Sequence, residues 1–323
     1  MRSWGATIEK AGSAGKGFVR SMTKEQITKK MKPDRGARPR GRDDEGQWTT
    51  VIKPRGKLFS LNFKEIWHYR DLIVLFAKRD IQTIYKQTVL GPLWFVLQPL
   101  FTTIIYTFVF GKLANIGTEG VPYTLFYYGG TMLWHYFQAQ LTNSMDTFSV
   151  NAGLFGKVYF PRLTVPISKM LSNLVATLIQ FLTLMVFYAY YLVIKAPIRP
   201  SWAILAFPLI LLHLAMLSTG FGIIISSLTT KYRDLRHLMT FGINLWMYAT
   251  PVIYPLSAVK GKLRLLMYLN PVTAPMELFR YAFYGSGEIN LIALSASAAF
   301  TVAIFFLGIA IFNRNERKFV DVV

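Results

Sequence analysis

From residue 90 onward, long apolar stretches alternate with short polar connections, at a spacing that predicts membrane-spanning helices rather than a soluble core. Six runs stand out, at approximately 93–113, 121–141, 171–194, 202–228, 238–255 and 289–312. At about 1.5 Å rise per residue, a run of about twenty covers the roughly 30 Å hydrocarbon layer. The second run is the most polar, with Gly129, Gly130, His135, Gln138 and Gln140. The fifth is short and holds Pro251 and Pro255 near its end.

Ahead of these runs the period changes. Over 63–90, Ile66, Tyr69, Ile73, Phe76, Ile84 and Tyr85 recur on one helical stripe, with Glu65, His68, Asp71, Lys78, Gln82 and Lys86 mostly opposite. The central LIVLFA is apolar all round but too short to span. The pattern therefore predicts a helix lying along the cytoplasmic membrane face, with an amphipathic helix of a small soluble domain as the alternative. Residues 1 to 57 hold 15 Lys plus Arg against 6 Asp plus Glu and almost no apolar clustering. They predict a disordered basic tail ending near residue 60, which either adheres to anionic headgroups or is simply solvated. GSAGKG at 12–17 lacks the spacing of a phosphate loop.

Charge sets the orientation. The chain of 323 residues is 53% hydrophobic yet carries a formal net charge of +20, so the two properties are segregated along it. No stretch near the N-terminus has the apolar character of a signal sequence, which predicts a cytosolic N-terminus. The inner connections then hold 13 Lys plus Arg against 7 in the outer ones, as the positive-inside rule requires. An even number of spans places both termini in the cytosol. With no cysteine, thiol nucleophiles, disulfides and thiolate metal sites are excluded.

The expected spans contain no internal Asp or Glu, and the four His residues form no pair at metal-ligand spacing. Ion-coupled carriers usually need buried ionisable groups, so energy for transport would have to come from a separate subunit. His135 and His213, alone on apolar faces, read as hydrogen-bonded core residues. LFGKVYFPRLTVPIS at 154–168 places Lys157, Arg162 and two prolines in a short connection between two spans. It is either a compact amphipathic knob that docks on a peripheral protein or a plain positive-inside connection. Ser218, Gly222 and Ser226 lie at four-residue intervals and predict a close helix crossing, within the chain or between two copies.

Four segments in order resemble the permease subunit of type-2 ABC exporters, in the branch that exports bacterial polysaccharides such as O-antigen, capsule and teichoic acid. They are YRDLIVLFAKRDIQTIYKQTVLGPLWFVLQPL at 69–100, LFGKVYFPRLTVPIS at 154–168, KYRDLRHL followed by ATPVIYPL at 231–256, and YLNPVTAPMELFRYAFYG at 268–285. The resemblance implies an all-α membrane domain over 61–323, with six spans, an interface helix at 63–90 and re-entrant helices between the fifth and sixth spans. It makes Lys157, Tyr159, Phe160, Pro161 and Arg162 candidate contacts to an ATP-binding subunit, with Arg233, Asp234 and Arg236 in the second cytoplasmic loop. Asp234 would pair with a neighbouring cation. Asn270, Pro271, Glu277 and Arg280 fall in the stretch that forms the outer gate, the last two as a solvent-screened pair three residues apart. Phe95, Tyr106, Tyr127, Trp134, Trp246 and Tyr248 are candidate channel aromatics on which sugar rings would slide, although such residues also belong to membrane interfaces and helix contacts.

The function this implies is ATP-driven export of a polyprenyl-diphosphate-linked polysaccharide across the bacterial cytoplasmic membrane. Two copies of the chain would work with two copies of a separate ATPase, which binds ATP and Mg. The permease itself catalyses no covalent step and holds no cofactor or metal. The alternatives are a permease of the same architecture exporting a drug, haem or another small lipid, a membrane-embedded sugar transferase, and a non-transporting scaffold. A transferase would need carboxylates near the membrane, whereas Asp43, Asp44 and Glu45 cluster far out in the tail.

Overall fold

A computed structural model describes residues 63–86, 90–147, 150–151, 153, 160–229 and 234–320, all within one compact unit. The basic tail, Lys157, Tyr159 and Arg233 lie outside the described residues. Among the described residues the ordered elements are helical and no strand occurs. This is expected of a chain whose backbone groups must find their partners inside one segment when water is absent.

Helix α1 (Phe63–His68) and α2 (Arg70–Lys86) are separated by a turn at Tyr69. A 3-10 turn at Gly91–Leu93 leads into α3 (Trp94–Tyr106), which contains Pro99 and loosens into a π-helical segment at Thr107–Leu113. There follow α4 (Tyr123–Met145), α5 (Thr164–Val193), α6 (Phe207–Thr229, with a 3-10 lead-in at Trp202–Ala206) and α7 (Leu235–Tyr248). Two short helices, α8 (Lys262–Leu269) and α9 (Thr273–Tyr284), precede α10 (Leu291–Val320). Gly285 ends α9 in the left-handed conformation (φ 70°), which glycine adopts without steric cost.

Among the described residues, four helical stretches are long and apolar enough to cross a membrane: Gly91–Leu113, Thr164–Val193, Trp202–Thr229 and Leu291–Arg314. They correspond to the first, third, fourth and sixth expected runs. The second run forms α4, whose polar residues dilute its apolar character because it is the buried centre of the bundle. The fifth run forms α7, only 14 residues long and so roughly 21 Å. The re-entrant stretch expected after it is occupied by α8 and α9.

Helices α6 and α10 pack along each other, α4 packs on α6 and α5, and α3 flanks α4. The stripe of small residues faces inward. Ser218, Gly222 and Ser226 are all buried. A Cβ on Gly222 would stand 2.4 Å from Ser144 Cβ and 2.7 Å from the Leu141 carbonyl of α4. This crossing is therefore made within the chain, between α4 and α6.

Part of the apolar stripe of 63–90 is spent on protein. Ile73, Phe76 and Ala77 are buried, and α2 packs along the first part of α5. Phe76 belongs to a small core with Phe160 and Val165.

Candidate functional site

The segments expected on the cytoplasmic side converge at one end of the bundle. Phe160 is 4% exposed, its ring edge-on to Phe76 with centroids 5.7 Å apart. Pro161 is buried and Arg162 is 8% exposed. Ahead of Thr164, which opens α5, the chain thus turns inward and anchors on α2. All three residues are buried within the single chain. Two ion pairs brace the same end. Lys169 of α5 meets Asp80 of α2 at 2.7 Å, and Arg236 of α7 meets Asp146, just past α4, at 2.6 Å. Asp234 Oδ1 accepts the Leu235 N–H at 3.0 Å and caps α7, while its sequence neighbour Arg233 lies outside the described residues. Asp80, Asp146 and Lys169 escaped the sequence reading, although two lone acids beside so many cations were a usable signal.

Between the ends, a polar chain crosses the bundle. Gln140, fully buried on α4, donates to Thr219 Oγ1 of α6 at 2.9 Å and accepts from Asn173 Nδ2 of α5 at 2.7 Å. Asn143 Nδ2 donates to Asn173 Oδ1 at 3.1 Å. Gln138 Nε2 reaches Asn244 Oδ1 of α7 at 2.8 Å. The polar character of the second expected span is thus helix-to-helix hydrogen bonding, which satisfies groups that lipid could not. His213 sits within 3.1 Å of Ser297 Oγ and 3.0 Å of Thr301 Oγ1 on α10, a hydrogen-bonded interior histidine.

The opposite end gathers the expected outer connections. Glu277 and Arg280 of α9 form an ion pair at 2.9 Å, each 2% exposed. The expectation of a solvent-screened pair is therefore corrected: residues 252–254 and α4 fold over it. The Arg280 guanidinium also donates to the carbonyls of Val252 (3.2 Å) and Tyr254 (3.3 Å) and lies 4.1 Å from the Phe126 ring centroid. Glu277 Oε2 accepts the Glu288 N–H at 3.2 Å. Burial pushes the Glu277 carboxyl above its ordinary range, against the pull of Arg280. Further out, Glu119 accepts the Gly287 N–H at 2.9 Å and the Ser257 hydroxyl, and Arg264 pairs with Glu288.

Asn270 joins α7 to α9. Its Oδ1 accepts from Trp246 Nε1 (3.2 Å) and from the Val272 N–H (3.1 Å), and its Nδ2 donates to the Ala249 carbonyl (3.0 Å) and Thr250 Oγ1 (2.8 Å). Pro271 follows, its carbonyl accepting from Ser297 Oγ at 2.6 Å. Close packing here depends on Gly129 of α4, where a Cβ would stand 2.3 Å from the Tyr284 hydroxyl and 2.7 Å from Phe279.

The candidate channel aromatics divide. Tyr127 and Trp134 are fully buried. Tyr127 stacks on Tyr123 and meets Tyr106 edge-on, and Trp134 packs on Phe137. They are core residues of the single chain, because α4 is enclosed by its neighbours. Phe95, Tyr106 and Trp246 are partly buried, and Tyr248 is exposed. Those four retain a surface that something outside the chain can touch.

Among the described residues, an all-helical bundle with four long apolar helices, a polar seam inside it and ion-pair clusters at its two ends defines a polytopic membrane protein. Residues 71–284 match the family described as ABC-2 type transporter, and the chain belongs to that family. It is 30% identical over 254 residues to the O-antigen export system permease protein RfbA of Klebsiella pneumoniae, covering 78% of this chain and 95% of that one. To the protein of the same name from Myxococcus xanthus it is 26% identical over 263 residues, 80% and 97% of the two chains. The polysialic acid transport protein KpsM of Escherichia coli is 21% identical over 244 residues, 74% and 91%.

Proposed function

We propose that this chain is the transmembrane subunit of an ATP-driven exporter that moves a polyprenyl-diphosphate-linked polysaccharide across the bacterial cytoplasmic membrane. The observation that carries this is the similarity to the two O-antigen export permeases, which extends over nearly their whole length. A permease for a drug, haem or another small lipid would share the family but not that similarity.

In this reading the chain crosses the membrane six times, through the four long apolar helices together with α4 and α7, and both termini are cytoplasmic. Helices α8 and α9 enter the outer leaflet without crossing it, and residues 61–323 form the transporting domain. Two copies form the pathway and two copies of a separate ATPase, carrying ATP and Mg, drive it. The partner would grip the part of 154–163 that carries Lys157 and Tyr159. Phe160, Pro161 and Arg162 would transmit its displacement through Phe76 to α2 and through α5 to the bundle. Arg236 and Asp146 would carry the same movement to α7. At the far end, the segment pinned by Asn270 and by Glu277–Arg280 would frame the exit, with Trp246 and Tyr248 offering aromatic faces to sugar rings.

The test is ATPase activity in lipid nanodiscs after co-expression with an ABC ATPase subunit from the same organism. Co-purification, with turnover lost in a Lys157→Glu, Tyr159→Ala variant, is the expected result. Absence of any associated ATPase would overturn the proposal.

A further inference from the structure

We infer that a groove between α6, α9 and α10 holds the acyl chain of a phospholipid from the outer leaflet. A cavity of about 680 Å³ opens there, lined by Leu209 and Met216 of α6, Pro275 and Leu278 of α9, and positions from Leu291 to Val302 on α10. Its size falls within the roughly 300–1,000 Å³ of small-molecule sites. The lining is apolar except for His213, Ser295 and Thr301, and each of these has a partner inside the chain. His213 Nε2 lies 3.0 Å from Thr301 Oγ1 and 3.1 Å from Ser297 Oγ, and Ser295 Oγ donates to the Ile292 carbonyl at 3.0 Å. The walls therefore suit an uncharged hydrocarbon chain and not an ion or a sugar.

Length chooses the occupant. At about 1.5 Å per residue, the lining stretch from Leu291 to Val302 runs roughly 16 Å, half of the roughly 30 Å hydrocarbon layer. The groove is thus one leaflet deep. Leu278 and Leu294 also line a small cleft with Tyr268, Glu288 and Asn290, so polar groups stand at its outer mouth, where a headgroup would lie. The flanks point to lipid as well. The exposed residues of α6 are Pro208, Leu209, Leu212 and Leu228, and from Leu291 to Leu307 those of α10 are apolar apart from Ser295. By contrast α7 exposes Arg236, Thr240 and Asn244. Polar groups at membrane depth need protein or water over them, which leaves the α6–α10 side to hydrocarbon. Seated there, the chain packs on Pro275 and Leu278, on the face of α9 opposite the Glu277–Arg280 pair, and supports that helix from the membrane side. The inference rests on the chain being a membrane permease with α9 at the outer face and is independent of its cargo.

The full chain is placed in nanodiscs with a trace of phosphatidylethanolamine that carries a diazirine midway along one acyl chain, and photolabelled residues are mapped by peptide mass spectrometry. Neither an ATPase nor a polysaccharide is present, so the outcome does not depend on what is exported. Labelling within 209–216 and 291–302 should exceed that of the exposed α5 residues Leu178, Leu182 and Val186 roughly three-fold, because a groove surrounds its ligand on several sides and a helix face on one. The excess should vanish in Ala298→Phe, which fills the groove, and persist in Ala299→Phe, at an exposed neighbour outside it. Equal labelling of α5 and the groove would overturn the inference, as would an excess that survives Ala298→Phe. Two further results would assign the groove to another occupant and overturn it too. One is loss of the excess on adding polyprenyl phosphate but not an equal amount of unlabelled phosphatidylethanolamine. The other is a disulfide between two copies of Ala298→Cys, the sole thiol in a chain that otherwise has no cysteine.

Discussion

Glu277 and Arg280 meet at 2.9 Å with both side chains almost wholly removed from solvent. Two charges in such a place cost several kcal/mol to desolvate, and they are tolerated because Val252, Tyr254, Phe126 and the Glu288 amide complete their contacts. Arg280→Met should lower unfolding stability by about 3–5 kcal/mol, since it leaves an unpaired buried carboxylate. The double variant Glu277→Leu, Arg280→Met should lose less than either single one. Denaturant unfolding in detergent, analysed as a double-mutant cycle, checks both.

The same pair sets a pH dependence. Burial raises the Glu277 carboxyl, while Arg280 holds it down. Removing Arg280 raises it further, so the folded variant binds a proton more tightly than its unfolded chain does. Its deficit should therefore be largest above the raised folded value and shrink as pH falls through it toward the ordinary carboxylate range. Unfolding of Arg280→Met at pH 8 and pH 5, each against the parent chain, measures this.

Asn270 makes four hydrogen bonds that join the end of α7 to the start of α9. Asn270→Ala strands the indole N–H of Trp246 and removes a donor from Thr250 Oγ1, which keeps its bond to the Trp246 carbonyl, at a cost of about 1–3 kcal/mol. Faster amide exchange confined to 246–273, with α4 and α6 unchanged, is the expected signature.

Two glycines should behave oppositely. Gly222→Ala drives a Cβ into Ser144 and the Leu141 carbonyl, whereas a Cβ on Gly242 of α7 meets nothing within 4 Å. Gly222→Ala should cost about 1–3 kcal/mol or block folding, and Gly242→Ala should be neutral or slightly stabilising. Thermal midpoints of the two variants in one detergent decide it.

Phe160 is predicted to be a structural anchor of the permease. Phe160→Ala should destabilise the chain by about 3 kcal/mol even without an ATPase, through the cavity left beside Phe76. Lys157→Glu should leave the stability of the isolated chain unchanged. Unfolding of the two purified variants, with no partner present, distinguishes anchor from contact.

Much of this was legible in the residue pattern. Apolar runs of the right length mark α3, α5, α6 and α10, because the bilayer thickness fixes helix length. Pro161 and Pro166 mark the entry to α5, and Ser218, Gly222 and Ser226 mark a crossing. The rest depended on partners distant in sequence. Nothing local shows that Ile73 and Phe76 turn toward α5 and Phe160 instead of lipid, since periodicity gives a face and not its neighbour. Glu277 and Arg280 look like a surface pair until Val252, Tyr254 and Phe126 are folded over them. Gln140 looks like a flaw in a span until Asn173 and Thr219 supply its hydrogen bonds.

The central claim is that ATP drives a lipid-linked polysaccharide through this chain. Its most direct test is transfer in proteoliposomes that hold the chain, its ATPase and a polyprenyl-diphosphate-linked polymer, followed by the polymer's accessibility to a glycosidase added outside. Loss of protection on the ATP-loaded side and gain of exposure on the other, abolished by Lys157→Glu, is the predicted result. ATP turnover stimulated only by small amphiphiles, with the polymer never changing leaflet, would contradict it.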